Sequence, residues 1–151
     1  MRFLAVLFSV VLGLSSLPAA AADYFGPGYG YGYAPPRSGV EVPGIPLCES
    51  ESVIGRVVSR QAWAERHTWH DGIVITAIHD PRERALHING PSMIAHRNCM
   101  AQASLSNGRT QTLYYVISQG QGFASLGWNV EWCVVGHDPY HVYDAGCRVL
   151  Y

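Results

Sequence analysis

From Arg97 to Ser118 the chain reads RNCMAQASLSNGRTQTLYYVIS, two alternating runs on either side of Asn107-Gly108. Asn-Gly enters a two-residue type I′ turn at little steric cost, because both residues tolerate the positive φ demanded at its central positions. The stretch therefore predicts a β-hairpin. With that turn, Ser106 faces Arg109, and the pairing runs Leu105 with Thr110, Ala103 with Thr112, Ala101 with Tyr114 and Cys99 with Val116. One face of the ribbon then carries Cys99, Ala101, Ala103, Leu105, Thr110, Thr112, Tyr114 and Val116, mostly small or apolar, a surface on which a helix can lie close. The other carries Met100, Gln102, Ser104, Gln111, Leu113, Tyr115 and Ile117.

A helix is predicted ahead of the hairpin. In Ser50 to Arg66, SESVIGRVVSRQAWAER, Ser50 or Ser52 offers a cap, and Glu49 and Glu51 suit the positive end of the dipole. Val53, Val57, Gln61 and Ala64 make a stripe of helical spacing. The β-branched residues of Val53 to Ser59 favour a competing strand, but the pattern runs on to Arg66, past ordinary strand length. Gly72 to Ile78 reads as a strand closed by Asp80-Pro81, with Ala85 to Ile88 returning as its partner and Asn89-Gly90-Pro91 as the next turn. After the central hairpin, Gly120 to Gly122 is a flexible connection and Gly127 to Gly136 a long strand, with a short edge strand at Arg148 to Tyr151. The expected fold is α+β, one N-terminal helix on a curved antiparallel meander of about four or five strands. The alternative is an all-β sandwich or barrel. In element order alone the outline resembles cystatin-like helix-on-sheet folds, with no shared motif to carry a residue's role across.

The first residues set the expected compartment. Arg2, the apolar run Phe3 to Leu14 and the small residues Ala20-Ala21-Ala22 have the three-part pattern of a signal peptide over 1–22. The apolar run is shorter than the roughly 20 residues a bilayer span needs. Residues 23–46, with DYFGPGYGYGYAPPRSG at their heart, are dominated by Gly, Tyr and Pro and predict a disordered or loosely packed arm. It reads as a spacer, or as an adhesive surface through Tyr24, Tyr29, Tyr31 and Tyr33. Residues 47–151 are then a single domain, a length consistent with one core. Export to the periplasm or beyond the cell allows Cys48, Cys99, Cys133 and Cys147 to form two disulfides. In a meander Cys99 and Cys133 are separated by a strand, which leaves Cys48–Cys99 with Cys133–Cys147, the preferred pairing, or Cys48–Cys133 with Cys99–Cys147.

A net charge of −1 and 14% charged residues give no electrostatic footprint for nucleic acid. Seven histidines raise the question of metal. His67 with His70, and His137 and His141 around Asp138, place imidazoles at ligand-like spacings, but either set also reads as turn and surface histidines. A hydrolase would need more than Ser92, Ser104 or Ser106 near His96, and no Gly-x-Ser-x-Gly elbow is present. The carboxylates Glu65, Glu83 and Glu131 could supply the pair a glycosidase needs, but they read equally as ordinary solvated or capping charges. Aromatic residues are the stronger signal: Trp128, Trp132, Tyr140 and Tyr143, with His141, gather near the loops Gly120 to Gly127 and Gly136 to Ala145. Trp128 and Trp132 share a strand face and serve either a core or a recognition surface.

The sequence thus predicts an exported, non-enzymatic binding or structural component of a bacterial cell envelope, meeting an envelope protein or glycan through C-terminal aromatic loops, without cofactor or catalytic set. The rival reading is a metal-binding protein or metal-dependent hydrolase built on His137, Asp138 and His141. Intact mass of the exported product should show a chain beginning at Asp23 and four protons lighter than its reduced form. An N-terminus at Met1 or free thiols would count against the export reading.

Overall fold

A computed structural model describes residues 39–90 and 92–150. The leader, its cleavage point and the arm tyrosines from Tyr24 to Tyr33 lie outside the described residues. One α-helix packs against a four-stranded antiparallel sheet, and two disulfides staple the assembly. The elements are α1 (Glu51–Ala64), a π-helical turn (Glu65–Trp69), β1 (Ile75–His87), β2 (His96–Leu105), β3 (Thr110–Gln119) and β4 (Trp128–Val134). Each strand pairs with the next, in the order β1-β2-β3-β4.

The central hairpin forms, with a register one residue away from the expected one. Gly108 donates to the Leu105 carbonyl (2.9 Å), and Leu105 donates to the Arg109 carbonyl (2.8 Å). The loop therefore holds three residues, Ser106-Asn107-Gly108, and only Gly108 takes a positive φ, 77°. Asn107 spends its side chain accepting from the Arg109 N–H (3.0 Å) instead of supplying a left-handed backbone. A type I turn closed by a left-handed glycine is the usual three-residue solution. Cys99 consequently faces Tyr115 and Ala101 faces Leu113. Because side chains alternate, the slip exchanges the faces of β3: Leu113, Tyr115 and Ile117 are fully buried, while Tyr114 and Val116 move to the opposite side. Burying Leu113, Tyr115 and Ile117 in place of Thr112, Tyr114 and Val116 removes more apolar area from water, which favours this register.

The first strand is also longer than the sequence suggests. Asp80-Pro81 does not end it, and β1 runs thirteen residues as a single edge strand with register breaks between Ile75 and Ala77, His79 and Arg82, and Glu83 and Ala85. Asp80 takes φ 50° at the second break. An edge strand tolerates the proline that a central strand would reject, since the missing N–H costs no ladder bond on the open side.

Helix α1 begins at Ser50 without a side-chain cap bond and buries Val53, Val57 and Gln61. These pack with Ile45, Cys48, Cys99, Ala101, Leu113, Tyr115, Ile117, Val130 and Val134. Tyr115 donates its hydroxyl to the Cys48 carbonyl (2.9 Å), beside the Cys48–Cys99 bridge. Burial, then the charge of Glu49, push its pKa well above the ordinary phenol value, so this hydroxyl stays a donor. Residues 40–45, placed by composition at the end of the arm, belong to this packed unit: Ile45 is buried, and the Val40 carbonyl accepts from Arg97 (2.7 Å). On the far side, Arg56 donates to the Trp128 carbonyl (2.9 Å) and Arg60 to the Val130 carbonyl (2.8 Å). Both carbonyls lie on the edge of β4 that β3 leaves open, since residues 128 and 130 form the non-hydrogen-bonded pairs of that ladder.

The tail over 145–150 packs on the other face of the sheet. Cys147 and Leu150 form a second cluster with Cys133, Tyr114, Val116 and Tyr143, closed by the Cys133–Cys147 disulfide. The loop order places a bridge over 51 residues at one end and over 14 at the other. Removing them should cost about 4 and about 3 kcal/mol on chain-entropy grounds.

The least expected core element is ionic. Arg97 is fully buried on the helix side of β2 and pairs with Glu83 of β1, itself buried. Arg97→Met, which strands the Glu83 carboxylate, should lower the urea unfolding free energy by about 3 kcal/mol, and Arg97→Met/Glu83→Met should recover most of that loss. Equal stability of the single variant and the parent would show that the pair does not hold β1 to β2.

Candidate functional site

The π-helical turn is where the helix changes from structure to chemistry. Its defining bond runs from the His70 N–H to the Glu65 carbonyl (2.9 Å), five residues back, and His70 closes it in the left-handed region at φ 61°. Single π turns of this kind are frequent at functional sites, since they re-aim side chains that an α-turn would place elsewhere. Along α1 the buried positions are Val53, Val57 and Gln61, and the next member of that four-residue ladder is Glu65. The buried stripe thus turns polar as it runs toward its end. Gln61 donates to the Ile73 carbonyl (2.8 Å) and accepts from the Ile75 N–H (2.9 Å), and Glu65 Oε1 accepts from the Gly72 N–H. These bonds fix the segment that carries Asp71.

His137 arrives from the opposite end of the fold. A tight turn after β4, with the His137 N–H on the Val134 carbonyl (2.9 Å) and Gly136 at φ 76°, swings the imidazole back against the helix end. Its ring meets Trp69 edge to face at 5.0 Å, and its Nδ1 lies 3.3 Å from Asp71 Oδ2. Glu65 is 5% exposed and His137 7%, yet among the described residues Glu65 Oε2 and His137 Nε2 have no hydrogen-bond partner. A buried polar atom left unpaired costs about 1–3 kcal/mol. Among the described residues, Glu65, Asp71 and His137 are the one group of three His, Cys, Asp or Glu side chains whose ligand atoms lie within 4.8 Å of one another.

Next to this cluster is a cleft of ≈ 200 Å³ lined by Trp69, Trp132, His137, Asp138, Val142 and Tyr143, with Cys133 at its base. Trp69 and Trp132 meet edge to face at 5.4 Å. Asp138 accepts the Tyr143 N–H (2.9 Å), and Tyr140 donates to the Thr68 carbonyl (3.3 Å), so the loop is tied both to itself and to the π turn. Burial, then Glu131 and Asp138, push the Tyr143 phenol above its ordinary value, and it remains protonated. A larger trough of ≈ 620 Å³ lies along residues 41–47, where Trp128 contributes its ring. That ring is already covered by the Arg56 guanidinium at 4.0 Å.

The expected binding residues therefore divide. Trp132 and Tyr143 line the cleft, Tyr140 braces its loop, and His141 is exposed at φ 51°. Trp128 sits apart, at the other end of β4 under Arg56. Both tryptophans pack against the helix-side core. The rival set His137, Asp138 and His141 does not converge, since Asp138 closes its own turn and His141 points to solvent while His137 turns inward. His67 turns back onto the Trp63 carbonyl (2.8 Å) and away from His70. Of the serines, Ser106 bonds Gly72 and Val74, Ser92 bonds Ile94, and Ser104 meets His79 at 3.1 Å on an exposed stretch of the sheet. Glu83 is locked to Arg97, and Glu131 is exposed.

His87 and His96 stack at 4.8 Å where β1 meets β2, and burial, then the charge of His96, lower the His87 pKa. A histidine with a depressed folded pKa binds its proton more weakly in the folded than in the unfolded chain. The stabilisation is complete above the unfolded value of about 6.5 and is lost as pH falls below it. The denaturation midpoint should drop between about pH 7 and pH 5, and His87→Gln should flatten that slope; an unchanged slope would place the effect elsewhere.

Compared with known proteins, the chain matches no protein-family model, no curated protein and no solved structure. Among the described residues, no helix is long and apolar enough to cross a membrane.

Proposed function

We propose that this protein is an exported, non-enzymatic binding component of a bacterial cell envelope, and that the group it grips is a glycan ring. The reading takes the scaffold as an N-terminal helix on a curved meander, displayed in an oxidising compartment by the leader over 1–22. The observation that carries it is the cleft between the π turn and the loop after β4, walled by Trp69, Trp132 and Tyr143 with the Asp138 carboxylate at its rim. Aromatic edges beside a carboxylate acceptor suit a sugar, which offers C–H faces and hydroxyl donors together. Size supports the same choice. At ≈ 200 Å³ the cleft lies below the roughly 300–1,000 Å³ of drug-sized pockets, so it admits one ring and not a helix or a strand. The two disulfides and the ties from Tyr140 and Asp138 hold the walls in place before binding, which lowers the ordering cost of a weak ligand.

Intrinsic tryptophan fluorescence of the oxidised chain should change on titration with soluble N-acetylglucosamine oligomers, and the protein should sediment with purified peptidoglycan. Val142 is 65% exposed at the cleft, so Val142→Arg should fill the mouth without unfolding the chain, weakening binding at least about tenfold. Saturable binding that Val142→Arg leaves intact, or binding only to protein fractions of the envelope, would overturn the glycan reading.

A further inference from the structure

We propose that Glu65, Asp71 and His137 form a binding site for a divalent cation of the zinc class, behind the cleft, at the seam between the π turn and the loop after β4. The proposal does not rest on the glycan reading, because it concerns different atoms and its readout needs no sugar.

Three observations converge on it. First, the three side chains come from separate segments, the π turn, the connection to β1 and the turn after β4, and still bring one ligand atom each to within 4.8 Å of the others. Second, Glu65 is more than nine-tenths buried and its Oε2 has no hydrogen-bond partner among the described residues, while His137, also more than nine-tenths buried, turns its Nδ1 toward Asp71. Third, the Glu65 carboxylate has a backbone donor in Gly72 but, among the described residues, no ion pair. A carboxylate is rarely buried without a compensating cation, and coordination of a metal is one of the standard ways to supply it.

The donor set selects the metal. One imidazole and two carboxylates suit zinc and its transition-metal neighbours, whereas calcium and magnesium favour shells of oxygen alone. Thiolate sites are closed off, since all four cysteines are bridged. Two ligands of a tetrahedral ion at 2.0–2.1 Å stand about 3.3 Å apart, and His137 Nδ1 and Asp71 Oδ2 stand 3.3 Å apart. Asp71 is 37% exposed, leaving it room to close on an ion from the solvent side. Three protein ligands leave a fourth position open toward that side.

The test uses the oxidised chain, stripped with EDTA and desalted, with zinc chloride as the probe. Expected results are one zinc retained per chain by elemental analysis, a higher thermal midpoint with zinc, and a four-coordinate visible spectrum when cobalt(II) replaces it. Glu65→Gln keeps an acceptor for Gly72, and Asp71→Asn alters a half-exposed side chain, so both should fold with normal far-UV circular dichroism while binding zinc at least about tenfold more weakly. His67→Gln and His141→Gln should bind as the parent does. No retained zinc, retention unaffected by Glu65→Gln and Asp71→Asn, or retention that depends on His67 or His141 would each overturn the proposal.

Discussion

Gln61 is fully buried, and both halves of its amide are committed to the backbone that enters β1, donating to Ile73 and accepting from Ile75. No apolar residue at that position could set the height of the strand against the helix, because dispersion is non-directional while an amide fixes two atoms at once. One turn further on, Glu65 repeats the contact through Gly72. The helix end, the start of β1 and the π turn are thereby held as one rigid corner. Asp71, Trp69 and the loop after β4 take their positions from it.

The hairpin was legible because alternation and Asn-Gly are local signals. Its register was not, since two-residue and three-residue loops both accept Asn-Gly, and the choice is made by which face of β3 buries more apolar area. Asp80-Pro81 misled for a related reason: the dipeptide is a turn starter only where the sheet does not need the chain to continue, and on an edge strand it becomes a bulge. Counting strands between partners excluded a Cys99–Cys133 bridge but left two pairings; the structure forms the one that clips the C-terminal tail back onto the last strand, Cys48–Cys99 with Cys133–Cys147. Cys99 and Cys133, on β2 and β4, do not meet.

For the site, the aromatic residues of the C-terminal loop were visible as composition, but their division between the cleft and the trough depends on which end of β4 each occupies. The cluster of Glu65, Asp71 and His137 was missed. A helical stripe ending at Ala64 looked complete, although carrying the four-residue ladder of Val53, Val57 and Gln61 one step further reaches Glu65. Asp71 and His137, 66 residues apart, had no local pattern to join them. Attention to the spacing of His137, Asp138 and His141 pointed away from it, because in a tight loop neighbours in sequence turn to different sides.

The two rims of the sheet are unlike its interior, and this bears on how copies of the protein behave beside one another. An open strand is a template for a second chain, and in-register stacking of such templates is the route to fibres. On β1 the template is interrupted by the proline and the left-handed aspartate, so no long run of evenly spaced donors and acceptors is offered. On β4 two of the outward acceptors are occupied by guanidinium groups from the helix. A crowded population of these molecules is thereby discouraged from knitting edge to edge into a continuous ribbon.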